Sequence, residues 1–301
     1  MGSDKIRYFP INEIKTRYER PRFAIIAAMN REDYFIQRFG ANPLIGDDAA
    51  VLNDMCVSQD AFFEGVHFRR EWMSLYEIGR KAMLVNLSDA VAMNATPRYA
   101  LLTVAMPKTM NRHEMSELAR GLKETAEAYG VQIIGGDTIA NVKLDLSVTI
   151  LAECERPLRR SGLKEGDLLA YTGRPGGSRR DLRRLMRGRD IPPGSRFLHP
   201  LLRQSFVARA ARYLRAGMDI SDGLFHDLQK LHRINRLGFE FFTPLPEEIG
   251  CSGEEFEMLV AFDPRHEKAV RRLAALTRTP LTVFAKAVRK PYRNLCPAHH
   301  F

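Results

Sequence analysis

Apolar residues along this chain switch repeatedly between the spacing of strands and that of helices. Residues 49–68, "AAVLNDMCVSQDAFFEGVHF", set apolar and β-branched positions on either side of an Asn-Asp pair, which predicts strand, turn and strand. Ser74 with Glu77 has the form of a capping box, and the helix it opens runs to about Asn94. "YALLTVAMP" (99–107) reads as a strand ended by proline. Asn111 and Glu114 repeat the capping signal before a helix that stops at Gly130. "VQIIGGD" and "LDLSVTILAE" return to strand, so residues 40–153 predict one α/β unit.

A second unit begins near Glu155, in a charged stretch that contains Pro157. "DLLAYTG" (167–173) is a strand ending in glycine, followed by an arginine-rich helix and the Pro192-Pro193 linker. Helices are expected at about 203–216 and 223–235, then the strand "GFEFFT" and a last helix and strand in "DPRHEKAVRRLAALTRTPLTVFAKA". The 301 residues thus predict two domains, 32–153 and 154–301, with residues 1–31 an extension or appended leader.

Composition narrows the class. Hydrophobic content of 45% is ample for two cores. No apolar run reaches the roughly 18 residues of a membrane span, and the N-terminus lacks a signal-peptide core; a cytoplasmic protein is expected. Cys56, Cys154, Cys251 and Cys296 are far apart, form no C-x-x-C pair and read as reduced thiols. A net charge of +10 and a pI near 9.6 raise nucleic-acid binding. The basic residues concentrate in "GRPGGSRRDLRRLMRGRD" (173–190), where no aromatics interleave and no finger spacing exists. A solvated basic face and a polyanion-binding surface both fit this segment; nucleic acid is not an expected partner.

Several carboxylates break the local pattern. Asp47 and Asp48 stand side by side in "LIGDDAAVL", at the entrance to a buried strand. Asp60 ends a buried strand, and Asp89 lies in the apolar helix "KAMLVNLSDAVAM", one turn after Asn86. Asp137 follows two glycines in "IIGGD", and Asp219 and Asp222 bracket "DISD". Each alone has an ordinary reading as a turn former, a helix cap or the partner of an arginine. Together, in a basic chain, they predict a shared cation, because converging carboxylates otherwise stay protonated or repel. Oxygen ligands without clustered His or Cys favour Mg²⁺. Gly135 and Gly136 leave room for a polyphosphate, yet neither a G-x-x-x-x-G-K-[ST] loop nor a protein-kinase catalytic loop is present. The residues alone therefore point to an enzyme that uses Mg²⁺ and phosphates outside the two common designs.

The same segments resemble the thiamine-monophosphate kinases. The resemblance runs from about residue 32 onward through "IGDDAAV", "SQDAFFEGVHF", "GRKAMLVNLSDAVAMNATP", "IIGGDT", "RRSGLKEGD", "TGRPGGS", "DISDGL" and "GEEFEML". It implies an α/β (α+β), two-domain aminoimidazole ribonucleotide synthetase-like fold. The N-terminal domain would pair with its dimer mate into a β-barrel, and the active site would lie in the cleft between the domains of each chain. It also implies roles. Asp48, Ser58, Asp60, Asp89, Asp137, Asp219 and Asp222, with Gln59 alongside, match metal-site positions. Gly136, Asp137, Arg160 and Ser221 match positions at ATP, and His67 and Glu254 match positions that hold thiamine phosphate. The implied partners are ATP, thiamine monophosphate, several Mg²⁺ ions and a second copy of the chain.

Three departures stand out. "GEEFEM", with Glu255 and Phe256, replaces a frequent "GEDYEL"; Ala298 in "CPAHHF" replaces an aromatic that stacks near the thiamine; arginines surround Asp181 where small residues are usual. The two ligands of "CPAH" do not make a zinc site. The implied reaction, the last step of thiamine diphosphate synthesis, moves the γ-phosphoryl of ATP onto a phosphate that is already deprotonated at neutral pH, so no general base is expected. The alternatives are a sister ATP-dependent enzyme with another acceptor, or a nucleic-acid binder that has kept the fold without the chemistry.

Overall fold

A computed structural model describes residues 31–294 and 296. Residues 31–42 belong to a separate unit and comprise helix α1 (Arg31–Ile36) and a 3-10 turn over Gln37–Phe39. In the remainder, the first sheet contains β1 (Ala50–Leu52), β2 (Met55–Phe63), β3 (Thr96–Pro107), β4 (Gln132–Asn141) and β5 (Asp145–Glu153). Its order is β1-β2-β5-β3-β4, antiparallel except for the parallel β3–β4 pair. Helices α2 (Leu75–Ala92) and α3 (Arg112–Ala128) pack together beside it. Both expected capping boxes form: the Ser74 hydroxyl accepts from Glu77 N and the Asn111 side-chain Oδ1 from Glu114 N, with both glutamates reaching back.

α2 is buried on nearly every side, from Ile78 to Ala92. A helix apolar all round belongs inside a core, and α2 touches the first sheet on one side and elements of the second half on the other. The second half contains β6 (Leu168–Thr172), α4 (Gly177–Leu185), α5 (Gln204–Ala210), β7 (Leu214–Asp219), α6 (Leu224–Asn235), β8 (Gly238–Phe241), α7 (Glu247–Gly250), β9 (Met258–Phe262), α8 (Glu267–Leu276) and β10 (Leu281–Val288), of which β7 and α5 pack on α2. The second sheet, β7-β9-β6-β10-β8, is antiparallel throughout. Strand periodicity divides its side chains: Leu169, Tyr171, Leu259 and Ala261 join Leu224, Leu228 and Leu231 of α6 in one core. Leu168, Ala170, Val260 and Phe262 face the other way, into a core continuous with α2 and the first sheet.

Two strands differ from expectation. The helix expected at 203–216 ends at Ala210 with a 3-10 turn to Tyr213, and Leu214–Asp219 is strand β7. Gly217 lies against the Leu158 side chain, and Ala216 and Met218 are fully buried, so tertiary packing overrides a short ambiguous run. β9 was not foreseen either; its residues are all buried and carry no alternation. Glu257, just before it, forms a buried ion pair with Arg203, at 2.5 and 2.6 Å, and accepts from Thr172 Oγ1 at 2.7 Å.

Urea denaturation is expected to separate these two kinds of polar contact. Ser74→Ala, which removes an exposed cap, lowers stability by about 1 kcal/mol. Glu257→Ala, which strands the buried Arg203 charge, lowers it by roughly 3–5 kcal/mol.

Candidate active site

Three carboxylates meet where the two halves join. Asp48 follows the Gly46 turn before β1, Asp89 projects from the last turn but one of α2, and Asp219 ends β7. One ligand oxygen of each lies within 4.8 Å of the other two. Asp48 Oδ2 and the hydroxyl of Ser58 are buried without a hydrogen-bond partner. Asp48 Oδ1 accepts from the Arg160 guanidinium, Nε at 3.0 Å and a shorter contact from Nη2.

Burial pushes the Asp219 carboxyl up to about 8, with Asp48 and Asp227 adding to the rise and the Ser88 hydroxyl opposing it. Burial, then Asp60, Asp219 and Asp48, raises Asp89 well above the carboxylate range. Burial also raises Asp48 in spite of Arg160. Protein packed around the Asp60 carboxyl, helped by Asp48 and Asp222, lifts it to about 6. Such a set does not ionise fully at neutral pH on its own. The all-oxygen donors and the unbonded Asp48 oxygen fit a hard divalent cation.

Local structure holds these groups in place. Ser88 Oγ donates to Asp219 Oδ2 at 2.6 Å, tying α2 to β7. Asn86 Oδ1 accepts from the Asp60 amide at 2.8 Å, which fixes β2 against the same helix; Asp60 lies within that strand, which runs on to Phe63, and does not end it as expected. Asp47 does not join its neighbour: Oδ2 accepts from Arg159 Nη1 at 2.7 Å and Oδ1 from the Arg160 amide at 2.8 Å. The paired aspartates thus position the arginines, one through each carboxylate. Asp222 bonds Lys230 of α6 at 2.6 Å, and Lys230 also pairs with the fully buried Asp227 at 2.9 Å.

Other expected residues lie elsewhere. Gln59 alternates to the opposite face of β2 from Ser58, where its amide bonds Ser147 and Thr149 of β5 at 3.0 Å each. Asp137 and Gly136 are exposed on the edge strand β4, outside the carboxylate cluster. Gly136 has a backbone reason to be glycine: φ is +143°, and a Cβ there would collide with the carbonyl of Leu102.

Residues 46–154 match the family model "AIR synthase related protein, N-terminal domain". The thiamine-monophosphate kinase of Rhodopirellula baltica is 35% identical over 253 residues, covering 73% of this chain and 76% of that one. The enzyme of the same name from Aquifex aeolicus is 30% identical over 226 residues, 71% and 74% of the two chains. This chain belongs to the thiamine-monophosphate kinase family. Its fold follows that of a structure described as AaThiL complexed with AMPPCP and TMP, with a TM-score of 0.78, 24% identity, and coverage of 88% of this chain and 94% of that one.

In this member of the thiamine-monophosphate kinase family, Ser221 and Glu254 are neighbours: the Glu254 amide donates to the Ser221 carbonyl at 2.7 Å. The flanking Phe256 N–H donates to Ile220 O at 2.9 Å, and both Glu254 and Phe256 take left-handed backbone angles, φ 54° and 51°. Left-handed non-glycine residues concentrate where a site constrains the backbone. His67 stacks on Phe62, ring centroids 5.7 Å apart, and its Nδ1 accepts from the Phe63 amide at 3.0 Å. This places the proton of a neutral His67 on Nε2.

Sequence reasoning passed over Lys81. Its side chain is fully buried, with Nζ 3.7 Å from the Phe197 ring centroid and 5.7 Å from that of Phe62, and it donates to Glu254 Oε2 at 2.6 Å. A lysine within "GRKAMLV" was the available signal. Glu255, one of the departures from the family pattern, is 2% exposed, and its Oε1 accepts from Gly176 N, Ser178 N and Ser252 Oγ, bracing the start of α4.

The thiol expectation needs correction at one pair. Cys251 and Cys296 form a disulfide with Cα atoms 5.7 Å apart, while Cys56 and Cys154 are free and buried. Sequence spacing could not reveal a contact between residues 45 positions apart. Ala298 lies outside the described residues. Among the described residues no helix is long and apolar enough to cross a membrane.

The raised Asp219 pKa fixes a sign for pH dependence. Its folded value of about 8 exceeds an unfolded value of about 3.9, so its contribution to stability is complete below the unfolded value and is lost as pH rises through the folded one. The melting temperature of metal-free protein is expected to fall, relative to Asp219→Asn, as pH rises from about 4 to about 8. Mg²⁺ added at the upper end restores it in the parent chain and less in the variant, as read by calorimetry.

Proposed function

We propose that this chain transfers the γ-phosphoryl group of ATP directly to the phosphate of thiamine monophosphate, giving thiamine diphosphate and ADP. One observation carries the reading: Asp48, Asp89 and Asp219, drawn from both halves of the chain, converge within 4.8 Å beside Arg160. Its support from relatives is the shared family with the Rhodopirellula and Aquifex enzymes.

The bond from the γ-phosphorus to the bridging oxygen of ATP breaks as one forms to an acceptor phosphate oxygen. That acceptor has a second pKa near about 6 and needs no base. The barrier is the approach of two anions in line. Mg²⁺ ions held by Asp48, Ser58, Asp60, Asp89, Asp219 and Asp222 would supply charge neutralisation between them. Ser88 keeps Asp219 oriented, and Arg160, already held by Asp47 and Asp48, presents a fixed cation toward nucleotide phosphates. Ser221 joins the nucleotide side, and His67 and Glu254 take the thiamine phosphate. Lys81 fixes one oxygen of Glu254, leaving the other for substrate.

A homodimer completes the proposal, with the first sheets of two copies forming a barrel and Gly136 and Asp137 lying at that junction. Edge strand β4 supports it, since it exposes Ile134 and Ile139, each 50% accessible, while its Ile133 and Thr138 line an apolar cavity of about 860 Å³. An open apolar edge of this kind calls for a covering surface.

The deciding assay is ADP release from ATP and thiamine monophosphate, with and without Mg²⁺, and thiamine diphosphate identified as product. Asp89→Ala and Asp222→Ala are expected to stay folded and lose at least about 100-fold in turnover, the scale of a lost electrostatic contributor; near-parent turnover in either would overturn the metal assignment. Lys81→Met is expected to raise the KM for thiamine monophosphate about tenfold with the KM for ATP unchanged, whereas a purely structural role moves both.

A further inference from the structure

The arginines of the second half do not all do the same work. Arg159, Arg160, Arg203 and Arg215 each close on a carboxylate. The segment 174–196 carries eight arginines against Asp181 and Asp190, the larger share of the chain's net charge of +10. Asp181 is spent inside the fold, accepting from Ser195 Oγ at 2.6 Å. Arg174, Arg183, Arg187 and Arg196 are exposed and make no ion pair among the described residues. With Arg180 and Arg184 they line one cavity of about 650 Å³, in which Glu248 is the sole acidic residue.

Like charges gathered around a concavity are unfavourable unless an anion visits it. No aromatic residue lines this cavity, so it offers no stacking surface for bases and recognises phosphate charge alone. Its floor is tied to the proposed substrate loop. The Gly176 and Ser178 amides donate to Glu255 Oε1 at 2.7 and 3.1 Å, and the Arg179 amide donates to Ser252 Oγ at 3.0 Å, so the groove is braced by residues within two positions of Glu254.

We propose that this groove is an electrostatic collecting site for the anionic nucleotide substrate, which it gathers from solution beside the loop that carries Glu254. The inference rests on the nucleotide-using activity proposed above and adds to it a salt-sensitive association step. Clefts lined by one sign of charge raise association rates by about 10–1,000-fold, and ionic strength removes the gain.

The test is stopped-flow association of a fluorescent N-methylanthraniloyl ATP, which needs no acceptor and no turnover. In the parent chain the association rate is expected to fall about tenfold between roughly 20 and 200 mM salt. The double variant Arg183→Glu, Arg187→Glu is expected to start about tenfold lower in low salt and to match the parent in high salt. Arg183→Lys, Arg187→Lys, which keeps the charge, should retain the parent rate, and calorimetry checks that both variants fold. Equal rates for the parent and the charge-reversed variant in low salt would overturn the proposal. So would a mixed-sequence DNA duplex that blocks association in the parent chain, since the groove would then serve a nucleic acid. Salt-steered association without formation of thiamine diphosphate would leave the collecting site standing and remove only the acceptor assignment.

Discussion

The burial of α2 on nearly every side is the constraint on which the rest of the molecule depends. A helix packed between the first sheet and the β7 and α5 elements of the second half can carry polar groups only where each has a partner. It carries four such groups, and each is answered from another element or left for a ligand. Lys81 reaches Glu254, Asn86 holds the Asp60 amide, Ser88 bonds Asp219, and Asp89 turns to the carboxylate cluster. Joining the halves and building the site are therefore one event. The same side chains that make α2 acceptable as an interior helix also place the charges.

Electrostatics then sets how the cluster is tolerated. The carboxylates are held apart in role by different cations: Arg159 and the Arg160 amide take Asp47, the Arg160 guanidinium takes Asp48, and Lys230 takes Asp222 and Asp227. Among the described residues Asp219 and Asp89 make no ion pair with a cationic side chain, and burial raises the proton affinity of both. That asymmetry, with one buried oxygen of Asp48 left without a hydrogen bond, fits a set of oxygen donors for a hard divalent cation.

Local signals were legible wherever a single turn of chain decides the outcome. Both capping boxes, the Asn-Asp hairpin between β1 and β2 and the stop at Gly130 formed as their residues require. β7 and β9 were not legible, because a short, fully buried run has no alternation and its identity depends on the strands beside it. The misplaced carboxylates pointed to the site because burying unpaired charge is expensive, and that holds whatever the fold. Gln59, adjacent to two site residues in sequence, went to the other face because strands alternate.

What the sequence determined by itself was the kind of elements, the set of acidic residues out of place and, through its family resemblance, the class of chemistry. Only the tertiary structure decided which of those residues meet. It brought Asp48, Asp89 and Asp219 together from positions far apart in the chain, paired Cys251 with Cys296, and put Glu255 under the start of α4. The physical reason is range: caps and turns act over three or four residues. Contacts across a buried helix depend on how two halves close around it, and no local pattern of residues encodes that.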